Sequence, residues 1–129
     1  MGIVSPWSSQ PLRTRSHSDS ADRRELNPVT HYVIVRKDLS KGVQAAQIVH
    51  AAGESSPGNL AEGTYAVVLE VPDESALRAV KARLSLAQVA LVAIYEPDAP
   101  HHGALMALGL VPVRKEVVRR FLSSLRLLR

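Results

Sequence analysis

The sequence contains no cysteine. Disulfide bonds, thiolate nucleophiles and cysteine-ligated zinc sites are therefore excluded, because each of them requires a thiol. Long hydrophobic runs are also missing, since Glu70, Arg78 and Lys81 interrupt the apolar stretches. A membrane-spanning helix needs roughly 18 to 20 apolar residues in succession, so the sequence predicts no transmembrane segment. It also contains no internal repeat and no glycine-rich phosphate-binding loop.

The composition is that of a small globular protein. The chain has 129 residues, of which 46% are hydrophobic, so it can build one core but not two. Its formal net charge is +4, which suits a polyanionic partner without requiring one. The sequence therefore predicts a single domain, and its charge leaves nucleic-acid binding open.

The first change in composition falls near Pro28. Ser, Arg, Pro and Asp dominate the preceding residues, which carry too few large apolar side chains to offset the entropy of ordering the backbone. We predict a disordered leader over residues 1–28 and a folded domain over residues 29–129. Asp19, Asp22 and Glu25 argue against an organelle-targeting peptide, since such peptides avoid acidic residues. We expect a cytoplasmic protein, with organelle targeting by the arginines of the leader as the alternative.

Strands and helices alternate along the predicted domain. The predicted strands are the apolar runs at 32–35, 65–71, 89–95 and 104–111. The predicted helices lie at 42–52, from the N-cap Asp73 to residue 84, and from Val113 onward, with a loop at 53–63. This order predicts parallel strands joined by right-handed crossovers, with room for an antiparallel last pair. The fold class is α/β, a three-layer α/β/α domain with a four-stranded mixed sheet flanked by helices.

The helix predicted at 42–52 has two different sides. At about 100° per residue, Gln47 and His50 project together from a polar side, opposite a packing side formed by Ala45, Ile48, Val49 and Ala52. A histidine and an amide in this arrangement can orient a water molecule and bind a carbonyl oxygen, as ester hydrolysis requires. The alternative interpretation is that both residues are merely solvated, because every amphipathic helix has a polar side.

The segment VRKDLSKGVQAAQIVHAA, residues 35–52, resembles the signature of type II peptidyl-tRNA hydrolases. In that family an Arg-x-Asp-Leu segment leads from a strand into a helix carrying Ala-Ala-Gln-x-x-His-Ala. The later TYAVVLEV, PDESALRAVKARL and IYEPD segments are similar to the family in order and character. The strongest similarity is to the peptidyl-tRNA hydrolase domain-containing branch, whose Val-Leu-Glu-x-Pro-Asp-Glu segment and basic C-terminal helix are matched at 68–74 and 115–129.

This resemblance implies an esterase of ribosome rescue that cleaves the bond between a peptide and the 3′ ribose of tRNA. It implies no metal and no organic cofactor. Glu96 or Asp98 is expected to be the general base, Lys41 to stabilise the oxyanion, and Gln47 and His50 to be positioning groups. The alternative for Glu96 and Asp98 is that they only polarise a turn. Lys41 is alternatively an ordinary residue at a helix start.

The expected partner is peptidyl-tRNA, and the sequence leaves open whether the chain also forms a homodimer. The residues predicted to bind tRNA are the basic ones near the first signature and on the last helix, namely Arg36, Lys37, Lys115, Arg119 and Arg120. The alternative for the helical ones is a solvated face that aids solubility. We predict no metal site at His101 and His102. Neighbouring residues on an extended segment point to opposite sides, and no third ligand has a defined spacing.

The sequence departs from the family pattern at three places. The helix that usually follows the first one is replaced by the short loop at 53–63. The turn before the helix is shortened, so Lys41 differs in register from the lysine of the family, and the loop at 95–102 lacks the Gly and Thr of Asp-Ala-Gly-x-Thr. Two function classes therefore remain. One is an esterase acting on peptidyl-tRNA, and the other is a non-catalytic RNA- or protein-binding module with the same fold.

Overall fold

The computed structural model describes residues 28–129, so the predicted leader, apart from Pro28, lies outside the described residues. The strands are β1 (Val29–Arg36), β2 (Tyr65–Val71), β3 (Leu91–Tyr95), β4 (Leu105–Leu110), β5 (Val113–Arg114) and β6 (Arg126–Leu127). The helices are α1 (Lys41–Ser55), which follows β1, α2 (Glu74–Leu86), which follows β2, and α3 (Lys115–Leu122), which follows β5. Between residues 28 and 129, no helix has the length and apolar character needed to cross a bilayer.

The strands form one mixed sheet in the order β3-β4-β1-β2-β6, and β5 pairs with the start of β1. Strands β1 and β2 are parallel, whereas β4 runs antiparallel to both β1 and β3. The predicted α/β class, mixed sheet and antiparallel last pair of long strands are thus confirmed. The predicted count of four strands is too low, because β5 and β6 have only two residues each and carry no periodic pattern.

The helices lie on both faces of the sheet. Helices α2 and α3 cover one face, where Leu77, Leu84 and Val118 pack with Ile34 and Leu108 of the sheet. Helix α1 covers the other face, where Ala51 packs with Val33, Val35 and Ala107. The predicted three-layer arrangement is therefore confirmed. The predicted N-cap of α2 is also confirmed, since an Asp73 carboxylate oxygen accepts from the Ala76 N–H at 2.9 Å.

The predicted packing side of α1 is only partly right. Ile48 and Ala52 pack against the sheet as expected, whereas Ala45 and Val49 are exposed. The residues that α1 buries against the sheet are Gln44, Gln47, Ala51 and Ser55, whereas Val49 is 70% exposed. Polar side chains can be buried here because they find hydrogen-bond partners: the Gln44 amide donates to the carbonyls of Lys37 and Leu39, at 3.1 and 3.0 Å. A buried face with so much polarity gives little hydrophobic periodicity, and for that reason the predicted packing side was displaced around the helix.

Helix α1 also continues past its predicted end. Gly53 lies within the helix, and the loop predicted at 53–63 begins only after Ser55. The Ser55 hydroxyl donates to the Ala51 carbonyl at 2.6 Å and contacts Nε2 of His31 on β1 at 2.8 Å, so the last turn is tied to the sheet. Gly109 of β4 permits this close approach, because a Cβ there would collide with the Ala51 carbonyl oxygen.

One edge of the sheet collects the ends of several elements. Strands β1, β2 and β3 run in the same direction, so the residues after Arg36, Val71 and Tyr95 emerge at that edge together. The starts of α1 and α2 and the start of β4 lie there for the same reason. In open α/β sheets, ligands bind outside the carboxyl ends of the strands. The topology therefore predicts a ligand site at this edge.

Candidate functional site

A cleft of about 280 Å³ opens at this edge, between the first turns of α1 and the loop that joins β3 to β4. Its lining is mostly small and apolar, with three polar side chains that come from the two sides of the cleft, Gln47, Glu96 and His101. Two larger cavities, of about 850 and 540 Å³, lie around Tyr65 at the opposite edge. The candidate site is the smaller cleft, because its lining brings together two of the sequence-predicted catalytic residues, Gln47 and Glu96.

Gln47 and Glu96 are in direct contact. The Gln47 amide, which is 6% exposed, donates through Nε2 to Oε1 of Glu96 at 3.2 Å. The other carboxylate oxygen, Oε2, accepts from the backbone N–H of Asp98 at 3.3 Å. Each Glu96 oxygen thus has one donor and keeps lone pairs for a further partner. A carboxylate held in this way has a fixed orientation and can accept a proton from a water molecule in the cleft.

Backbone hydrogen bonds close the loop that carries Glu96. The Glu96 N–H donates to the Ala104 carbonyl at 3.0 Å, and the Gly103 N–H donates to the Glu96 carbonyl at 2.7 Å. Gly103 has a φ of +80°, a conformation that favours glycine. The Ala104 N–H also donates to the His101 carbonyl at 2.8 Å. The loop therefore holds Glu96 and His101 on one short, internally bonded segment.

The adjacent histidines differ in their exposure. His101 lines the cleft, whereas His102 is exposed. Across residues 28–129, no group of three or more His, Asp or Glu side chains is arranged to hold a metal ion. The two histidines thus have separate surroundings, and only His101 belongs to the candidate site.

Arg36 anchors the segment that leads from β1 into α1. Its guanidinium donates to both carboxylate oxygens of Asp38, each at 2.9 Å, and to the carbonyl of Leu105 at 3.1 Å. The hydrogen bond from Arg36, together with the nearby positive charges of Arg36 and His101, holds the pKa of Asp38 below its usual value. The same hydrogen bond raises the pKa of Arg36. An arginine that is 7% exposed and whose guanidinium is bonded in this way is a structural anchor.

A second contact fixes the same backbone position. Oε2 of Glu74, in the first turn of α2, accepts from the Leu105 N–H at 2.9 Å and from the guanidinium of Arg78 at 2.8 Å. These donors, Leu105 first and Arg78 second, lower the pKa of Glu74. The Leu105 peptide groups are thus held by Glu74 on the N–H side and by Arg36 on the carbonyl side. This clamp fixes the point where the loop carrying Glu96 rejoins the sheet.

The other residues predicted to be catalytic lie outside the cleft lining. Lys41 is exposed as the first residue of α1, next to Gly42, which does line the cleft. His50 is exposed on α1 and is not brought together with Gln47, whose side chain turns toward the sheet. Asp98 is exposed and contributes its backbone N–H to Glu96. Of the two alternatives for the base, the structure brings Glu96 into contact with Gln47.

The residues predicted to bind tRNA fall into separate groups. Arg36 is buried, and its guanidinium is already bonded to Asp38 and Leu105. Lys37 is exposed, and its ammonium lies 3.7 Å from the Glu70 carboxylate. Lys115, Arg119 and Arg120 are exposed on α3, in the layer opposite α1. Lys115 follows β5, which pairs with Val29 and Thr30 at the far end of β1. The structure therefore does not bring the basic face of α3 next to the cleft.

Sequence reasoning missed His101 as a member of the site and Glu74 and Arg36 as anchors. For Arg36 the sequence did contain a signal of an ion pair. Residues two apart on an extended strand point to the same side, and Arg36 and Asp38 have opposite charges. For His101 there was none, because an irregular loop has no periodicity from which a direction can be predicted.

Comparison with known proteins places this geometry in a family. The sequence model described as Peptidyl-tRNA hydrolase PTH2 matches residues 29–128, which include every residue of the cleft. No curated protein matches the chain. Since the matched region covers well over half of the sequence and all of the secondary structure described, the chain belongs to the PTH2 family of peptidyl-tRNA hydrolases.

Proposed function

We propose that this chain hydrolyses the ester bond between a peptide and the 3′ ribose of tRNA. The observation that carries the proposal is the hydrogen bond of 3.2 Å between Gln47 and Glu96 on the wall of the cleft. Gln47 belongs to the helical signature of the family, and Glu96 is a carboxylate that this amide orients. Family membership supports tRNA as the substrate, and the cleft supplies a base for water.

Glu96 is the general base in this reaction. Its carboxylate removes a proton from a water molecule while the water oxygen attacks the carbonyl carbon of the ester, and the bond to the ribose oxygen then breaks. Gln47 is a positioning residue, since it holds one carboxylate oxygen and turns the carboxylate toward the cleft. A positioned general base typically contributes about 10²- to 10⁴-fold to the rate.

The start of α1 supplies positive potential where negative charge develops. Gly42 and Val43, in its first turn, line the cleft, and the side chain of Ser40 makes no capping hydrogen bond. The first N–H groups of a helix point outward and carry partial positive charge. They favour an oxyanion forming in front of them, and the exposed Lys41 adds its charge at the same helix end.

The second candidate is a non-catalytic RNA- or protein-binding module. One observation favours it: among the described residues, no lysine or arginine lines the cleft. In that case the bond between Gln47 and Glu96 would only hold the β3–β4 loop against α1.

The test is release of labelled peptide from purified peptidyl-tRNA by the full chain and by Glu96→Gln. The amide variant keeps the size of the side chain and can still accept a hydrogen bond, but it is no base. We expect kcat to fall by about 10²-fold or more, the loss typical of a general base. Glu54→Gln, an exposed acid on α1, is the matched control and should keep wild-type activity. If the wild-type chain releases no peptide, the esterase proposal fails and the binding module is the interpretation that remains.

A further inference from the structure

His101 lies in the same cleft as the Gln47 and Glu96 pair, although it belongs to no motif of the family signature. Its position is set by the backbone: the His101 carbonyl accepts from the Ala104 N–H at 2.8 Å, and Glu96 bonds to both Gly103 and Ala104. The side chain is half-buried, whereas its neighbour His102 is exposed. The loop therefore presents one imidazole, and not the other, to the site of the proposed reaction.

The charges around His101 come from two elements. Glu96 lies on the same β3–β4 loop as His101. Asp38 lies on the turn between β1 and α1, and the charge of His101 is one of the causes that lower its pKa, after the hydrogen bond and charge of Arg36. Asp38 already accepts from Arg36 with both oxygens, at 2.9 Å each, so Arg36 holds Asp38 in place on that turn. The surroundings of His101 thus contain two carboxylates, those of Asp38 and Glu96.

The proposed hydrolysis needs a proton donor as well as a base. When the ester bond breaks, the ribose oxygen departs as an alkoxide unless it is protonated, and alkoxides are poor leaving groups. Glu96 cannot give this proton while it removes one from water. The rest of the cleft lining consists of Gly, Val, Ala and Pro residues and the Gln47 amide. Histidine is the side chain that changes its charge near neutral pH and so exchanges protons readily in catalysis.

We propose that His101 is the general acid that protonates the departing ribose oxygen. This inference rests on the proposed function. The water proton passes to the Glu96 carboxylate, the water oxygen bonds to the carbonyl carbon, and the bond from that carbon to the ribose oxygen breaks. The imidazolium of His101 gives its proton to that oxygen. The products are the free peptide and the tRNA 3′ hydroxyl, and Glu96 and His101 return to their starting states by exchanging one proton through solvent.

The test compares His101→Asn with the matched control His102→Asn on two substrates. One is ordinary peptidyl-tRNA, and the other carries sulfur in place of the 3′ oxygen, so that it releases a thiolate that needs no proton. On the oxygen ester, His101→Asn should lose about 10²-fold in kcat, the lower end of the range for general acid catalysis. On the thioester the loss should largely disappear. His102→Asn should match the wild type on both substrates.

A purely structural role for His101 would lower both rates equally, and that result would overturn the proposal. His101→Gln, which keeps an N–H donor without the ability to transfer a proton, should behave as His101→Asn does, and wild-type activity in it would also overturn the proposal. Circular dichroism and thermal unfolding verify that the variants fold. If the wild type releases peptide and Glu96→Gln does not, but His101→Asn equals His102→Asn, only this inference fails. If the wild type is inactive, the proposed function fails with it.

Discussion

Arg36 and Asp38 form a two-pronged ion pair in which both N···O distances are 2.9 Å. The third arm of the guanidinium reaches the Leu105 carbonyl, so the pair connects the end of β1 to the start of β4. A planar guanidinium can make three such contacts at once, whereas an ammonium group cannot reproduce the fork. The pair therefore fixes the relative position of the two segments that flank the cleft.

Arg36→Lys should destabilise the domain by about 1 to 3 kcal/mol, because the buried Leu105 carbonyl loses its partner. Arg78→Lys is the matched control, since Arg78 also pairs with a carboxylate but is exposed. Exposed helix pairs contribute only about 0.3 to 0.5 kcal/mol, so its effect should be small. Urea unfolding at neutral pH measures both. Equal effects would show that Arg36 is not an anchor.

Gly109→Ala should destabilise the domain by roughly 1 to 3 kcal/mol, the usual cost of overpacking a core. The new methyl group would collide with the Ala51 carbonyl and the Ser55 hydroxyl and push α1 away from the sheet. Gly53→Ala is the control, because a Cβ there meets nothing and the residue is helical. That variant should gain about 0.5 to 1 kcal/mol. A stable Gly109→Ala protein would contradict the close approach of α1.

The burial of His31 predicts a dependence of the folding stability on pH. Burial lowers the pKa of His31, so below the ordinary histidine value near 6.5 the unfolded chain binds more protons than the folded one. Stability is then complete above pH ~6.5 and declines as the pH falls further. His31→Gln should flatten this decline between pH 7 and about pH 5, whereas His102→Gln should not. If the slope of stability against pH is the same in His31→Gln as in the wild type, His31 is not the source of this pH dependence.

The sequence predicted the architecture better than the site. Strand β2 has the predicted bounds of 65–71, and Asp73 caps α2 as expected, because both depend on local signals. His50 is exposed, but Gln47, which was predicted to project with it from the polar side of α1, is buried against the sheet. Its contact with Glu96 spans 49 positions along the chain. No local pattern encodes such a contact, and the same is true of the position of His101.

The basic face of α3 gives a separate prediction about tRNA. Arg119 and Arg120 are exposed, and each phosphate contact that is lost should flatten the slope of log affinity against log salt by about 0.7 to 0.9. Arg119→Ala combined with Arg120→Ala should therefore weaken tRNA binding and reduce the slope together. Lys37→Ala combined with Lys41→Ala, near the cleft, is the comparison. If only the second pair has an effect, the tRNA surface lies beside the cleft and α3 is a solvated face.

The proposed mechanism is tested by a cycle of single-turnover peptide release by the wild type, Gln47→Ala, Glu96→Gln and the double variant. Gln47 acts by orienting Glu96, so its loss should slow release about tenfold or more in the wild-type background. In the Glu96→Gln background its loss should have almost no further effect, because the base it positions is already gone. Independent losses that multiply in the double variant, or a wild type that releases no peptide, would contradict the account.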